Sequence, residues 1–156
     1  MTLNGTFTFN GPRDRVWDLL QDPAALAAAL PGTERLTLAA PDRYEGVMKV
    51  SIGPVTAATF DVTVTLADKI PPRHFSMNID AKGNVGFSRG SATVELQDQP
   101  GATTLMQYSS SVQVGGRIAA VGQRLIESVA KMMMRQALEA LARQLTPLMS
   151  ADTDRS

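Results

Sequence analysis

The chain has 156 residues, 44% hydrophobic and 19% charged, a composition typical of one globular domain and not of a disordered chain. Fifteen basic residues balance fifteen acidic ones, so charge gives no case for nucleic-acid binding. The lack of cysteine excludes disulfides and thiolate chemistry. An N-terminus without a basic cluster or apolar run does not resemble a signal peptide, and no window has the length of a membrane span, so we expect a cytoplasmic protein.

The N-terminal region predicts one strand followed by two short helices. Leu3, Phe7 and Phe9 alternate with polar residues, as in a half-buried strand that ends at Asn10-Gly11-Pro12. An apolar face from Val16 to Leu20 then predicts a helix. Asp22 is the expected N-cap of the second helix, which is rich in alanine and ends at Pro31-Gly32.

Residues 34–114 predict six further strands. Apolar residues alternate with polar ones throughout, and turn sequences separate the strands at Pro41-Asp42, Gly53-Pro54, Pro71-Pro72, Gly83-Asn84 and Pro100-Gly101. The glycine-rich segment from Gly83 to Gly90 superficially resembles a phosphate loop, but no Lys-Ser/Thr follows it, which favours a hairpin with a bulge.

A long helix from Ile118 to Leu148 is predicted to close the domain. Apolar side chains recur there at three- and four-residue steps, among them Ile118, Val121, Gly122, Leu125, Val129, Met132 and Met133. Three pairs four residues apart are expected to form ion pairs on the opposite face: Glu127–Lys131, Arg135–Glu139 and Glu139–Arg143. Such a helix needs a broad partner, which predicts a curved seven-stranded antiparallel sheet in one domain, residues 1–148. Residues 149–156 are predicted to be a polar, disordered tail.

The inward phase of the strands carries no charged residue at the strand centres. General acid-base catalysis, a zinc site and a catalytic triad all need titratable or ligating groups in the site, so this pattern weighs against catalysis and against a metal. His74 has the outward phase and is expected to be an exposed strand-edge residue. We therefore predict no catalytic and no metal-binding residues.

Methionines on the inward positions favour a cavity between the sheet and the long helix, because methionine adapts to a variable occupant. The alanines at positions 24, 25, 27, 28 and 29 are expected to be too small to fill this space. Tyr44, Tyr108 and Ser110 are the polar groups expected to orient an apolar guest, and ordinary core packing is the alternative. The predicted ligand-binding residues are Trp17, Leu30, Tyr44, Met48, Phe60, Met77, Met106, Tyr108, Ser110, Leu125, Val129, Met132 and Met133.

Several segments together resemble the G-subunit family of carbon monoxide dehydrogenase, a branch of the START-like, helix-grip superfamily. They are Asp22-Pro23-Ala24-Ala25-Leu26, Leu30-Pro31-Gly32, Gly53-Pro54-Val55, Gly83 to Gly90 followed by Ala92-Thr93-Val94, and Val114 to Ile126. The resemblance covers residues 1–145. Family members typically carry cysteines beside the Pro-Gly, where this chain has Ala29 and Thr33. Some also have a long extension, linked to membrane attachment, which this sequence lacks after Leu148.

The resemblance implies an α+β helix-grip fold and an accessory protein that serves a carbon monoxide dehydrogenase-type molybdenum hydroxylase. Our leading hypothesis is non-catalytic binding of a hydrophobic small molecule, a lipid or a quinone, with no required cofactor and with peripheral contact at the inner face of the cell membrane. One alternative is a polyketide cyclase or dehydratase using Tyr44, Tyr108 and Ser110. The other is a protein-docking module that binds no ligand.

Overall fold

A computed structural model describes the backbone of residues 1–155 and the side chains of residues 1–145. The predicted order of elements is confirmed: β1 (Thr2–Phe9), α1 (Arg13–Gln21), α2 (Pro23–Ala29), β2 (Thr33–Ala40), β3 (Arg43–Ile52), β4 (Val55–Ile70), β5 (His74–Gly83), β6 (Gly86–Gln99), β7 (Thr103–Gly115), a 3-10 helix (Arg117–Val121) and α3 (Gln123–Arg155). The tail predicted over residues 149–156 lies outside the residues whose side chains are described.

The seven strands form one antiparallel sheet in the order β1-β7-β6-β5-β4-β3-β2. The first strand pairs with the last, with Phe7 opposite Met106, so β1 and β2 are the two edges. The segment from Gly83 to Gly90 forms the β5–β6 hairpin, as predicted, with Gly83 paired to Gly86 across a two-residue loop. The register of this hairpin is continuous, so the predicted bulge is absent.

The long helix begins at Gln123 and not at Ile118 as the sequence predicted. Residues 117–121 form a 3-10 turn, and Gly122 follows with φ of 103°, a left-handed backbone conformation that no helical residue adopts. The apolar spacing runs through both elements, so periodicity alone did not reveal the break. Ile118 is buried on the sheet, whereas Gly122 redirects the chain into α3.

Two hydrophobic clusters lie between the sheet and the helices. The larger one joins α1, α2, the centre of the sheet and the C-terminal half of α3, and its most buried members are Phe9, Val16, Phe75, Leu96 and Leu145. The smaller one surrounds Phe60 and Ile118 at the other end of the sheet, where Val129 of α3 is only partly buried. Among the described side chains, those of residues 134–145 of α3 are therefore anchored in the larger cluster, whereas the start of the helix is anchored weakly.

The alanine-rich helix α2 packs against the larger cluster, and none of its residues lines either of the two spaces described below. Ala25 and Ala29 are buried in the larger cluster, and the Gln144 side-chain amide donates to the Ala25 carbonyl oxygen at 2.9 Å. Small side chains let α2 approach α3 closely. Asp22 caps α2 as predicted, accepting a hydrogen bond from the Ala24 amide at 2.9 Å.

His74 lies on the outward face, as predicted, but not at an exposed strand edge. It pairs with Glu95 on β6 and with Ile70 on β4, so it sits inside the sheet. Its side chain is only 20% exposed, and its Nδ1 lies 2.5 Å from a carboxylate oxygen of Glu95. The cross-strand partner explains the partial burial, and the spacing in sequence gave no sign of that pairing.

Candidate functional site

A cavity of about 180 Å³ lies between the N-terminal half of α3 and the sheet, and we call it the inner cavity. Strands β3 to β7, the 3-10 helix and α3 all contribute to its wall. Its lining residues are Met1, Met48, Val50, Ile52, Phe60, Val62, Ala81, Phe87, Ser88, Val112, Val114, Ile118, Ile126, Val129, Ala130 and Met133.

The side chains that line the inner cavity are apolar except for Ser88, and none of them is charged. The one charged group of a lining residue is the Met1 α-ammonium, which donates to the Val112 carbonyl oxygen at 3.0 Å. A space of this order accommodates one ring or a few methylene groups. Three of its walls carry methionine, at positions 1, 48 and 133, whose side chains adjust to an occupant at low cost. The lining side chains suit a hydrophobic molecule, and none of them is an acid or a base.

Gly90 occupies an inward position of β6 and has no side chain to place between the sheet and α3. Gly90 pairs with Ile79 on one side and with Val112, a lining residue, on the other. Ile79 remains 36% exposed although it shares the phase of Phe75, which is 1% exposed. Gly90 provides no side chain to cover Ile79, its cross-strand neighbour.

A second, larger space of about 430 Å³ lies between the β1 edge and α3, and we call it the edge groove. Its floor is apolar and its rim is polar. Its lining residues are Thr2, Leu3, Asn4, Thr6, Phe7, Tyr108, Lys131, Met134, Arg135 and Leu138.

The rim of the edge groove is positively charged. Lys131 and Arg135 lie one helical turn apart on α3, and no acidic residue is among the lining residues. Lys131 pairs with Glu127 at 3.0 Å, as predicted. The other two predicted pairs, both through Glu139, do not form within the described residues, so Arg135 is left without a carboxylate partner there. The space beneath α3 is thus not uncharged throughout, contrary to the sequence-based expectation.

Tyr108 forms part of the edge groove, and its ring lies against the backbone of β1. Its cross-strand partner is Gly5, and a Cβ at that position would come within 2.7 Å of the tyrosine Cζ. Glycine is required there for the ring to lie flat on the strand. Among the described residues the Tyr108 hydroxyl has no hydrogen-bond partner, so it is available to a ligand.

Five of the predicted ligand-binding residues line one of these two spaces. Met48, Phe60, Val129 and Met133 line the inner cavity, and Tyr108 lines the edge groove. They come from three strands and the long helix, as the phase of each element suggested. Whether they contact a ligand stays a prediction.

Five others belong to the packed part of the domain. Trp17 meets Phe75 edge-on with ring centroids 5.4 Å apart, and Met106 and Tyr44 are buried in the same cluster. Met77 packs against that cluster, and Leu30 is the half-buried C-cap of α2. For Trp17, Met106, Tyr44 and Met77 the alternative interpretation, core packing, describes their surroundings, whereas Leu30 belongs to neither cluster.

The remaining three predicted residues lie elsewhere. Leu125 and Met132 are 36% and 41% exposed and line neither space. Ser110 lies between Tyr108 and Val112 on β7, and its hydroxyl donates to the Leu3 carbonyl oxygen at 2.9 Å. That bond ties β7 to β1 at the boundary between the two spaces.

Tyr44 has a structural partner. Its hydroxyl donates to the Gln21 carbonyl oxygen at 2.6 Å and so fastens the end of α1 to β3. Burial, with smaller contributions from Asp42 and Asp22, raises the pKa of Tyr44 above its usual value of 10.0. The raised pKa makes the phenol a weaker proton donor.

Two sets of site residues were not predicted from the sequence. Ala81, Val112, Val114 and Ala130 were recognisable as inward or helical core positions, but their small size concealed that they border a space. Lys131 and Arg135 were assigned to the wet face of the helix. Only the position of β1 at the sheet edge, under the flank of α3, brings these two cations to a groove.

Comparison with known proteins adds the family. Residues 5–146 match the family model of the carbon monoxide dehydrogenase G subunit, CoxG. The chain belongs to this family. The match covers the sheet except for the first three residues of β1, the 3-10 helix and α3 up to residue 146, so it includes most of the lining of both spaces.

Solved structures of similar shape confirm the helix-grip fold of this CoxG protein. A conserved protein from Geobacillus kaustophilus superposes with a TM-score of 0.89 at 26% identity, over 94% of this chain and 96% of that one. A START superfamily protein from Mycobacterium smegmatis gives 0.70 at 13% identity, over 94% and 98%. A protein from Thermus thermophilus gives 0.71 at 14%, over 95% and 99%. No curated protein matches the chain.

Two features of the described residues bear on membrane insertion and metal binding. No helix there combines the length and the hydropathy needed to cross a bilayer. No group of three or more histidine, aspartate or glutamate side chains comes together as it would around a metal ion.

Proposed function

We propose that this CoxG protein binds a hydrophobic small molecule, a lipid or a quinone, beneath α3 without acting on it chemically. The observation that supports this most directly is the inner cavity, an apolar space with no charged side chain in its lining. At about 180 Å³ it takes a ring or a short stretch of chain, so the rest of a larger ligand extends outward past α3.

The partner we propose is a molybdenum hydroxylase of the carbon monoxide dehydrogenase type. Membership of the CoxG family supports this accessory role, since the family is named as a subunit of that dehydrogenase. The protein would present or accept a lipophilic electron carrier for the enzyme. We propose that the protein lies in the cytoplasm, in peripheral contact with the inner face of the cell membrane. We also propose that it needs no cofactor of its own.

Calorimetric titration with menadione, a neutral quinone ring of suitable size, tests the ligand proposal. We expect saturable binding to the native protein. Ala130→Phe puts a ring into the inner cavity and should weaken binding about tenfold or more, because the ligand then loses its apolar contact area. Ser128→Phe, on the exposed side of the same helix, is the matched control and should bind normally.

Native mass spectrometry with solvent extraction of freshly purified protein provides a second measurement. A co-purified lipid or quinone supports the proposal. If the native protein carries nothing and menadione does not bind, the ligand proposal is wrong. Equal loss of binding in Ala130→Phe and Ser128→Phe would also contradict it, because only residue 130 faces the inner cavity.

The cyclase alternative has less support. Tyr44 and Tyr108 lie on strands separated by four strand spacings of about 4.8 Å, and Tyr44 and Ser110 both donate to backbone carbonyl oxygens. These three side chains do not converge on one substrate. The docking alternative is tested by a pull-down of purified carbon monoxide dehydrogenase with the Ala130→Phe variant, since a module that needs no ligand would bind the enzyme as well as native protein does.

A further inference from the structure

We propose that the edge groove binds the anionic head of an amphiphile whose apolar part enters the inner cavity. The inference rests on the proposed function and goes beyond it by selecting a charged lipid over a neutral quinone. It starts from Lys131 and Arg135, the two cations that stand on the rim of a space with an apolar floor.

The charges around the edge groove favour an anion. Lys131 and Arg135 both line it, and the acidic side chains closest in sequence on α3 are Glu127 and Glu139, neither of which lines it. The Lys131 Nζ atom forms an ion pair with a Glu127 carboxylate oxygen at 3.0 Å, whereas Arg135 has no carboxylate partner among the described residues. A guanidinium and an ammonium one turn apart suit a carboxylate or phosphate group, whose oxygens accept several hydrogen bonds at once.

A neutral donor stands on the opposite wall. The Tyr108 hydroxyl reaches the edge groove from β7 and makes no hydrogen bond to any described residue. Gly5 leaves the space that allows its ring to lie against β1. The head group would therefore meet cations from α3 and a hydroxyl from the sheet.

The two spaces are neighbours along both walls. On β7, Tyr108 lines the edge groove and Val112 the inner cavity, four residues or about 13 Å of strand apart. On α3, Lys131 and Met134 line the groove, while the adjacent Ala130 and Met133 line the cavity. One molecule with a head and a tail can lie under α3 with its two ends in these two environments.

Calorimetry with dodecanoate and its uncharged methyl ester tests the proposal on the full chain. We expect the native protein to bind dodecanoate about tenfold more tightly than the ester in about 0.05 M salt, and the difference to shrink in about 0.5 M salt because the rim is open to solvent. The double variant Lys131→Gln with Arg135→Gln should bind the two compounds equally. Arg124→Gln with Arg143→Gln, two exposed cations of the same helix outside the groove, should keep the native preference.

The outcomes separate the two proposals. If the native protein binds the ester and dodecanoate equally, the anionic head is wrong and hydrophobic binding stands. If it binds neither compound nor menadione, the proposed function itself fails. A competition experiment with inorganic phosphate tests whether the groove binds free anions. If phosphate displaces dodecanoate at a similar concentration, the groove is a free-anion site and the proposal of an amphiphilic ligand is wrong. A preference lost equally in both double variants would also overturn it, since net charge and not the groove would then be responsible.

Discussion

The Tyr108 ring lies directly over the Cα of Gly5, and a Cβ on residue 5 would stand 2.5 Å from the tyrosine hydroxyl oxygen. No side chain other than hydrogen fits beneath the ring. The first strand of the chain therefore determines where a side chain of the last strand points. This relationship shapes the wall of the edge groove.

Gly5→Ala should displace Tyr108 without unfolding the domain. The closest atoms belong to the far end of a rotatable side chain, so the ring can swing into the edge groove at a cost of about 1 kcal/mol in unfolding free energy. Urea unfolding measures the cost, and the Tyr108 ring signals in NMR spectra report its new position. In a double-mutant cycle with Tyr108→Ala the cost of Gly5→Ala should vanish; an additive cycle would show that the ring is not responsible.

Leu145→Ala should destabilise the protein far more than Leu125→Ala does. Leu145 is 1% exposed and packs in the larger cluster, so its truncation leaves a cavity that costs about 2–5 kcal/mol. Leu125 is 36% exposed on the weakly anchored part of the same helix, and its truncation should cost below about 1 kcal/mol. Thermal unfolding followed by Trp17 fluorescence measures both, since Trp17 lies in the larger cluster. Similar costs would mean that α3 is anchored evenly.

Tyr44→Phe should change how stability depends on alkaline pH. The folded-state pKa of Tyr44 is raised above 10.0, so the folded protein holds the phenol proton that the unfolded chain releases first. This contribution to stability is complete below pH 10 and is lost as pH rises toward the folded pKa. Urea unfolding between about pH 8 and pH 11 should show a steeper decline for the native protein than for Tyr44→Phe.

Tyr44→Phe should also destabilise the folded protein at neutral pH. It leaves the Gln21 carbonyl without its 2.6 Å hydrogen bond, which should lower the unfolding free energy by about 1 kcal/mol. Tyr108→Phe, which retains Tyr44, should keep the native decline with pH. Parallel curves for the native protein and Tyr44→Phe would contradict the assignment.

Thr104→Val should lower the unfolding free energy by about 1–2 kcal/mol despite preserving shape. The Thr104 side chain is fully buried, and its hydroxyl donates to the Gly11 carbonyl oxygen at 2.8 Å between β7 and the start of α1. Valine removes the donor and leaves that carbonyl unpaired in the interior. Thr93→Val on the exposed face of β6 is the control and should change stability little in the same denaturant titration. If both variants change the unfolding free energy equally, strand propensity and not the Thr104 hydrogen bond is the cause.

Most of the fold was predictable because each element carries its own local signal. Strand alternation, the turn pairs such as Gly53-Pro54 and the Asp22 cap act over a few residues, and the structure confirms them. The start of α3 was not predictable in the same way. Gly122 fits the apolar spacing of a helix, and only its backbone conformation, with φ of 103°, reveals the break.

The site was harder to predict because a cavity depends on what neighbouring elements fail to fill. Tyr44 and Met106 have the inward phase, yet they pack in the larger cluster, together with Trp17 of α1. Lys131 and Arg135 have the spacing of a solvent-facing stripe, yet the flank of α3 overhangs the edge strand β1. Phase identifies the side of a sheet on which a residue lies, whereas the cover over each position is set by long-range packing.

Because α3 is anchored unevenly, opening the inner cavity should cost less free energy than unfolding the domain. Releasing residues 137–145 would strip Leu138, Leu141 and Leu145 from the larger cluster, whereas releasing the turns after Gln123 exposes little beyond Ile126 and the cavity lining. At Gly122, the residue before these turns, the space that a Cβ would occupy is empty. Amide protons in the first turns of α3 should therefore exchange with solvent well before those near Leu141, and a guest can enter or leave while the core stays intact.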